Sequence, residues 1–178
     1  MSMKKKLTRG QILKRASKIK LLLTDVDGVL TDTGVYYSEK GELMKRYSIR
    51  DGMGVERLKK LVGVETGIIT RENTLIVKSR AQKLNIDELH MGVYEKEKTL
   101  EDIINRKNLS AGEIAFIGDD TNDLEILKRV GLSACPNDAT KFAKNIVDVV
   151  VESNGGCGAF RDLAELIIEA KTINKRGR

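Results

Sequence analysis

From residue 20 to about 171 the chain alternates short apolar runs with segments of helical period, and this alternation limits the folds open to it more than any single motif does. Residues 20–26 read as a buried strand; 34–38 and 43–49 then alternate in the manner of a hairpin around the turn 39–42. Further apolar runs at 64–69, 88–91, 113–117, 131–134 and 146–151 are separated by helical patterns at about 53–62, 73–84, 96–107, 122–129, 138–144 and 158–171. Strands that alternate with helices predict an α/β domain, a parallel sheet with helices on both faces and a β-hairpin after the first strand. The 178 residues suit one such domain. It is expected over 20–171, behind a basic helical lead-in at 1–19 and ahead of a basic tail at 172–178.

The net charge of +6 invites a nucleic-acid reading, so its placement matters. Residues 1–20 hold eight basic and no acidic residues, and 171–178 hold four basic and none acidic. The remaining 20 basic and 26 acidic residues leave 21–170 at −6. An acidic body with basic ends argues for solvated termini ahead of nucleic-acid binding. Apolar runs such as 21–23 fall far short of the ~20 residues a membrane span needs, and no signal-peptide pattern is visible. Cys135 and Cys157 form neither a CxxC pair nor a cluster with histidine. The expectation is a soluble cytoplasmic protein with reduced thiols.

In a parallel α/β sheet the functional groups gather at the carboxyl ends of the strands. The first strand ends in Asp25-Val26-Asp27-Gly28, the run at 64–69 ends at Thr70, and that at 113–117 ends in Gly118-Asp119-Asp120-Thr121-Asn122-Asp123. Lys96 opens a helix between the last two. Four crowded acids (Asp25, Asp27, Asp119, Asp120) repel one another unless a cation sits among them, and oxygen donors suit Mg²⁺. Alternate side chains of an extended segment share a face, so Asp25 and Asp27 can address one reacting group from two sides. Thr70 and Lys96 add a donor and a positive charge, as transfer of an anionic group requires.

These four segments, in this order, resemble the motifs of the haloacid dehalogenase superfamily of phosphotransferases, over nearly the whole chain from about 10 to 170. The resemblance implies a Rossmann-like fold and a role for each residue. Asp25 is then the nucleophile that forms an aspartyl-phosphate, and Asp27 the acid and base whose main-chain carbonyl also binds Mg²⁺. Asp119 completes the metal ligands, Thr70 and Lys96 hold the phosphoryl oxygens, and Asp120 and Asp123 orient Lys96 and the metal's waters. Only 44 residues separate Asp25 from Thr70, and 25 separate Thr70 from Lys96. No cap domain fits. The chain is thus similar to the capless octulosonate 8-phosphate phosphatases, in which the hairpin joins four subunits into a homotetramer. The segments 50–54 and 155–161 are also similar to that group and place Arg50 and Arg161 on the substrate side.

One departure matters. That group continues its second motif as Thr-Gly-Arg, whereas this chain reads Thr70-Arg71-Glu72-Asn73. Glu72 and, eleven residues on, Lys83 resemble the branch acting on 9-phosphates of nine-carbon sugar acids. The expectation is a Mg²⁺-dependent phosphatase of a phosphorylated 3-deoxy-2-ulosonic sugar acid, with Arg50, Glu72, Lys83 and Arg161 as substrate-binding candidates. The alternatives are a phospho-accepting receiver domain, in which the GDDxxD run has no role, and an accessory module that has lost turnover. His90, the only histidine, reads as a packed or surface side chain.

Overall fold

The computed structural model describes residues 6–176. Helix α1 (Arg9–Ala16) precedes the first strand β1 (Leu21–Thr24), and a hairpin of β2 (Tyr36–Ser38) and β3 (Gly41–Met44) follows it. Then come α2 (Ile49–Arg57), continued by a wider π turn over Leu58–Val62, β4 (Glu65–Ile69), α3 (Leu75–Lys83) and β5 (Glu88–His90). The chain closes with α4 (Lys96–Lys107), β6 (Ile114–Ile117), α5 (Leu124–Arg129), β7 (Leu132–Cys135), α6 (Lys141–Lys144), β8 (Val149–Val150) and α7 (Ala159–Arg176). Six strands form one parallel sheet in the order β5-β4-β1-β6-β7-β8. This is the expected Rossmann-like α/β fold, and among the described residues no cap domain interrupts it.

The period-2 rule explains how such short strands hold the sheet. Leu21 and Leu23 point into one apolar layer with Ile114, Phe116, Leu100 and Ile103, while Leu22 points into the other with Ala115, Ile117, Phe160 and Leu163. Every β1 residue is therefore buried, as a strand covered on both faces must be. Helices α1, α2, α3 and α7 contribute to one layer, and α4, α5 and α6 to the other. Each fully buried Leu or Phe contributes about 1.5–3 kcal/mol.

Several boundaries differ from the periodicity. The second hairpin strand stops at Met44, not 49, because Ser48 caps α2 by accepting a hydrogen bond from the Arg50 amide at 3.1 Å. Helix α3 starts at Leu75 behind the Thr74 cap, so Glu72 lies in the loop before the helix that carries Lys83. At the termini, α1 packs its Ala16 and Leu13 into the core, and its bases meet acids of the body: Arg9 with Glu169 at 2.8 Å and Arg15 with Asp148 at 3.2 Å. The lead-in at 9–16 thus belongs to the packed structure, and α7 runs through 172–176, the start of the expected tail.

The hairpin stands off the sheet. Val35, Tyr36, Tyr37, Leu43 and Met44 are about half exposed or more, and Ile49 beside them at the start of α2 is 83% exposed. Both hairpin tyrosines therefore face outward.

Candidate active site

Strands β4, β1 and β6 are neighbours in the sheet, so the segments that follow them emerge side by side at one rim. A cleft of about 280 Å³ opens there, lined by Asp25, Asp27, Gly28, Thr33, Thr70, Arg71, Glu72, Asp119, Asp120 and Asn122.

Lys96 lies beneath the lining residues, under Asp25. Its side chain is completely buried, and its ammonium lies 2.6 Å from Asp25 Oδ2 and 2.6 Å from Asp123 Oδ1. Burial opposes the charged ammonium, but the two carboxylates outweigh it and raise the Lys96 pKa above the ordinary lysine value. Asp123 is saturated: its other oxygen accepts from the Asp119 and Asp120 amides at 2.9 and 3.4 Å. Burial and Asp25 push this carboxyl up, whereas Lys96 and the Asp119 amide hold it down. With Lys96 at 2.6 Å the pair is ionic.

The Asp25 carboxylate is 5% exposed and accepts from the Val26 amide at 2.7 Å and from Asn122 Nδ2 at 3.5 Å. Across the cleft, Asp119 has no cation in contact among the described residues. Its pKa is pushed up to about 8 by burial, then by Asp123, Asp25 and Asp120. Single carboxylate oxygens of Asp25, Asp119 and Asp123 lie within 4.8 Å of one another. Such a set suits a hard divalent cation, and because Asp123 is fully buried beneath the cleft whereas Asp25 and Asp119 line it, these two are the carboxylates placed to ligate it.

Gly28 makes this approach possible. Its φ is +76°, and a Cβ there would lie 2.1 Å from Asp119 Oδ2. The loop it belongs to is buttressed from behind, where the Gly156 amide donates to the Val29 carbonyl at 2.9 Å.

Asp27 faces the cleft from the hairpin side. Its carboxylate accepts from Thr31 Oγ1 at 3.1 Å and from Lys45 Nζ at 2.7 and 2.6 Å. The sequence reading missed Lys45. Only 2% of its side chain is exposed, and the same ammonium lies 3.3 Å from Glu72 and 3.6 Å from Glu42. No local pattern marks it, since the strand that would have faced it outward ends one residue earlier. Thr70 is buried, with its hydroxyl accepting from the Glu72 amide at 3.1 Å, and Asp120 caps the turn at 121–123 through the Thr121 amide.

Three substrate-side candidates do not line the cleft. Arg50 is exposed on the first turn of α2. The Arg161 guanidinium is taken by Glu165 at 2.7 Å, although its amide donates to the buried Asp51 at 3.0 Å, so the segments at 50–54 and 155–161 meet as a structural joint. Lys83 lines a separate cavity of about 770 Å³ among the starts of β4 and β5 and the ends of α3 and α4, together with Glu65, Glu88 and Lys107. Glu65 and Thr70 are a strand length apart, roughly 16 Å, so the part of this cavity around Glu65 lies at the opposite end of the sheet from the acidic rim. Of the four candidates, Glu72 alone lines the cleft.

Residues 48–160 match the model of the haloacid dehalogenase-like hydrolases. The chain belongs to that family. It is an enzyme of these hydrolases, and the receiver reading gives way because the GDDxxD run supplies Asp119 and Asp120 to the cleft and Asp123 to the buried Lys96. The 3-deoxy-D-manno-octulosonate 8-phosphate phosphatase KdsC of Haemophilus influenzae is 34% identical over 157 residues, covering 88% of this chain and 87% of the relative. The cobalt-bound form of the Haemophilus influenzae phosphatase superposes with a TM-score of 0.85 at 34% identity, over 89% of this chain and 92% of that one. The Moraxella catarrhalis phosphatase, solved with magnesium, phosphate and KDO, gives a TM-score of 0.88 at 29% identity, over 94% and 96%. Solved relatives of this fold thus hold divalent metals. No described helix is long and apolar enough to cross a membrane.

Proposed function

We propose that the protein is a Mg²⁺-dependent phosphatase that removes the terminal phosphate of a 3-deoxy-2-ulosonic sugar acid, with the octulosonate 8-phosphate as the leading substrate. One observation carries this reading: Asp25 is gripped by the buried Lys96 on one side and faces Asp119 and Asp27 on the other. The relatives named above supply the substrate class. Glu72 in the cleft wall favours a second, nine-carbon substrate, the 9-phosphate of a nonulosonate, because a carboxylate there can accept hydrogen bonds from added hydroxyls.

In this mechanism the Asp25 carboxylate attacks phosphorus, the bond to the sugar oxygen breaks, and Asp27 gives its proton to the departing alkoxide. Asp27 then takes a proton from a water that attacks the aspartyl-phosphate, freeing phosphate and Asp25. Lys96 fixes Asp25 and balances the charge of the transferring group, while the Thr70 hydroxyl hydrogen-bonds a phosphoryl oxygen. Asp25, Asp119 and the Asp27 carbonyl would hold Mg²⁺, which when bound neutralises phosphoryl oxygens.

A homotetramer built on the exposed hairpin and a cytoplasmic setting complete the proposal. The apolar hairpin face supports the first, and the two unpaired thiols, Cys135 and Cys157, support the second. The substrate is tested by comparing kcat/KM for eight- and nine-carbon phosphorylated sugar acids in wild-type and Glu72→Arg protein. If Glu72 selects, the ratio shifts toward the eight-carbon acid in the variant; an unmoved ratio removes it from the choice.

A further inference from the structure

The charges that line the cleft are unbalanced in a particular way. Five lining residues are acidic (Asp25, Asp27, Glu72, Asp119 and Asp120), and among the described residues one is basic, Arg71. The two buried ammonium groups beneath are already engaged, Lys96 by Asp25 and Asp123, and Lys45 by Asp27, Glu72 and Glu42. Arg71 has no ion pair among the described residues and is exposed. It is held instead over the ring of Tyr94, with Cζ 5.5 Å from the ring centroid.

That placement is braced by the backbone. The Thr70 amide donates to the His90 carbonyl at 2.9 Å, the Val93 amide to Thr70 at 2.9 Å, and the Gly92 amide to Glu72 at 3.0 Å. Bonds from the residues before and after Arg71 therefore tie its loop to the one that carries Tyr94. Tyr94 is 74% exposed and buries little of itself in the core, so its ring serves mainly as a platform for the guanidinium. A cation fixed in this way loses little freedom on meeting an anion, and a planar guanidinium suits a carboxylate in particular.

A substrate that presents its phosphate to Lys96, Thr70 and the metal needs a separate partner for any second negative group, since five carboxylates would repel it. Arg71 follows Thr70 directly in the chain at the bend after β4, and its stacking on Tyr94 sets its charge to one side of the phosphoryl position. We propose that Arg71, braced by Tyr94, is a specificity-determining residue that binds the carboxylate of the substrate. The inference rests on the phosphatase reading and adds to it the group that selects acids over neutral sugar phosphates. It also gives the departure from Thr-Gly-Arg a purpose: the cation stands one position earlier, and Glu72 occupies the vacated place.

The test compares the octulosonate 8-phosphate with its C1 carboxamide, which keeps the shape and loses the charge, with p-nitrophenyl phosphate as a common reference. Wild-type protein is expected to prefer the acid over the amide by about tenfold or more in kcat/KM, and Arg71→Gln to lose most of that preference, chiefly through KM for the acid. Arg71→Lys should keep part of it, and Tyr94→Leu should fall between Arg71→Lys and Arg71→Gln. An acid-to-amide ratio that is the same in wild-type and Arg71→Gln protein, with p-nitrophenyl phosphate still hydrolysed, overturns the role of Arg71 and leaves the phosphatase reading standing. Failure of wild-type protein to hydrolyse all three phosphates in Mg²⁺ overturns both.

Discussion

The Lys45 ammonium lies 2.7 and 2.6 Å from the two carboxylate oxygens of Asp27, although the residues stand 18 positions apart at either end of the hairpin. The base of the hairpin is thereby fastened to the residue assigned to proton transfer.

Replacing Lys45 with Met leaves Asp27, Glu42 and Glu72 facing one another without a cation. Because Asp27 is 42% exposed, the stability loss should be about 1–3 kcal/mol, less than the ~3–5 of a fully buried broken pair. Urea unfolding measures it. If Lys45 positions Asp27, kcat should fall further on a sugar phosphate, whose alkoxide needs a proton, than on p-nitrophenyl phosphate, whose leaving group does not. Equal losses on the two substrates would reduce Lys45 to a structural role.

Gly28→Ala should strike the metal site first. The added methyl meets Asp119 Oδ2 at 2.1 Å, and the left-handed backbone adds a cost of about 1–2 kcal/mol. Displacing Asp119 should weaken Mg²⁺ binding by at least about tenfold in calorimetry. An unchanged affinity would mean that Asp119 is not a ligand.

The acidity of Asp119 predicts a pH dependence. Its carboxyl stands at about 8 in the metal-free fold against an ordinary 3.8, so folding favours the protonated form. With respect to this group, metal-free protein loses stability as the pH rises from about 4 through about 8. Bound Mg²⁺ takes the proton's place and removes the penalty. Thermal unfolding should therefore show the gap between Mg²⁺-loaded and metal-free protein widening from about pH 5.5 to about pH 8, and a gap that narrows would contradict the assignment.

The hairpin face predicts an assembly. Light scattering should give a tetramer for the wild-type protein and smaller species for the double variant Tyr37→Glu, Leu43→Glu, since both side chains are well exposed in one chain and carry apolar area. A wild-type protein that is monomeric at high concentration removes the tetramer.

Much of this site was legible because its signals are local. The carboxyl ends of β1, β4 and β6 follow from apolar runs, and strand adjacency brings Asp25, Thr70 and Asp119 to one rim once the sheet is parallel. Lys45 was not legible, because its inward direction depends on β3 ending at Met44 and on acids that include Asp27 and Glu72 from two other segments. The reverse error befell Lys83 and Arg161. The resemblance placed them on the substrate side, whereas the end of α3 turns Lys83 into the separate cavity and Glu165 claims the Arg161 guanidinium. Helical period tells which residues share a face, not which end of the sheet that face meets.

The central claim is that Asp25 attacks phosphorus with Mg²⁺ in place. Phosphate release from the octulosonate 8-phosphate, followed with and without Mg²⁺ in wild-type and Asp25→Asn protein, tests it most directly. The account predicts turnover that requires the metal and falls by at least about a thousandfold in the variant; undiminished release by Asp25→Asn would contradict it.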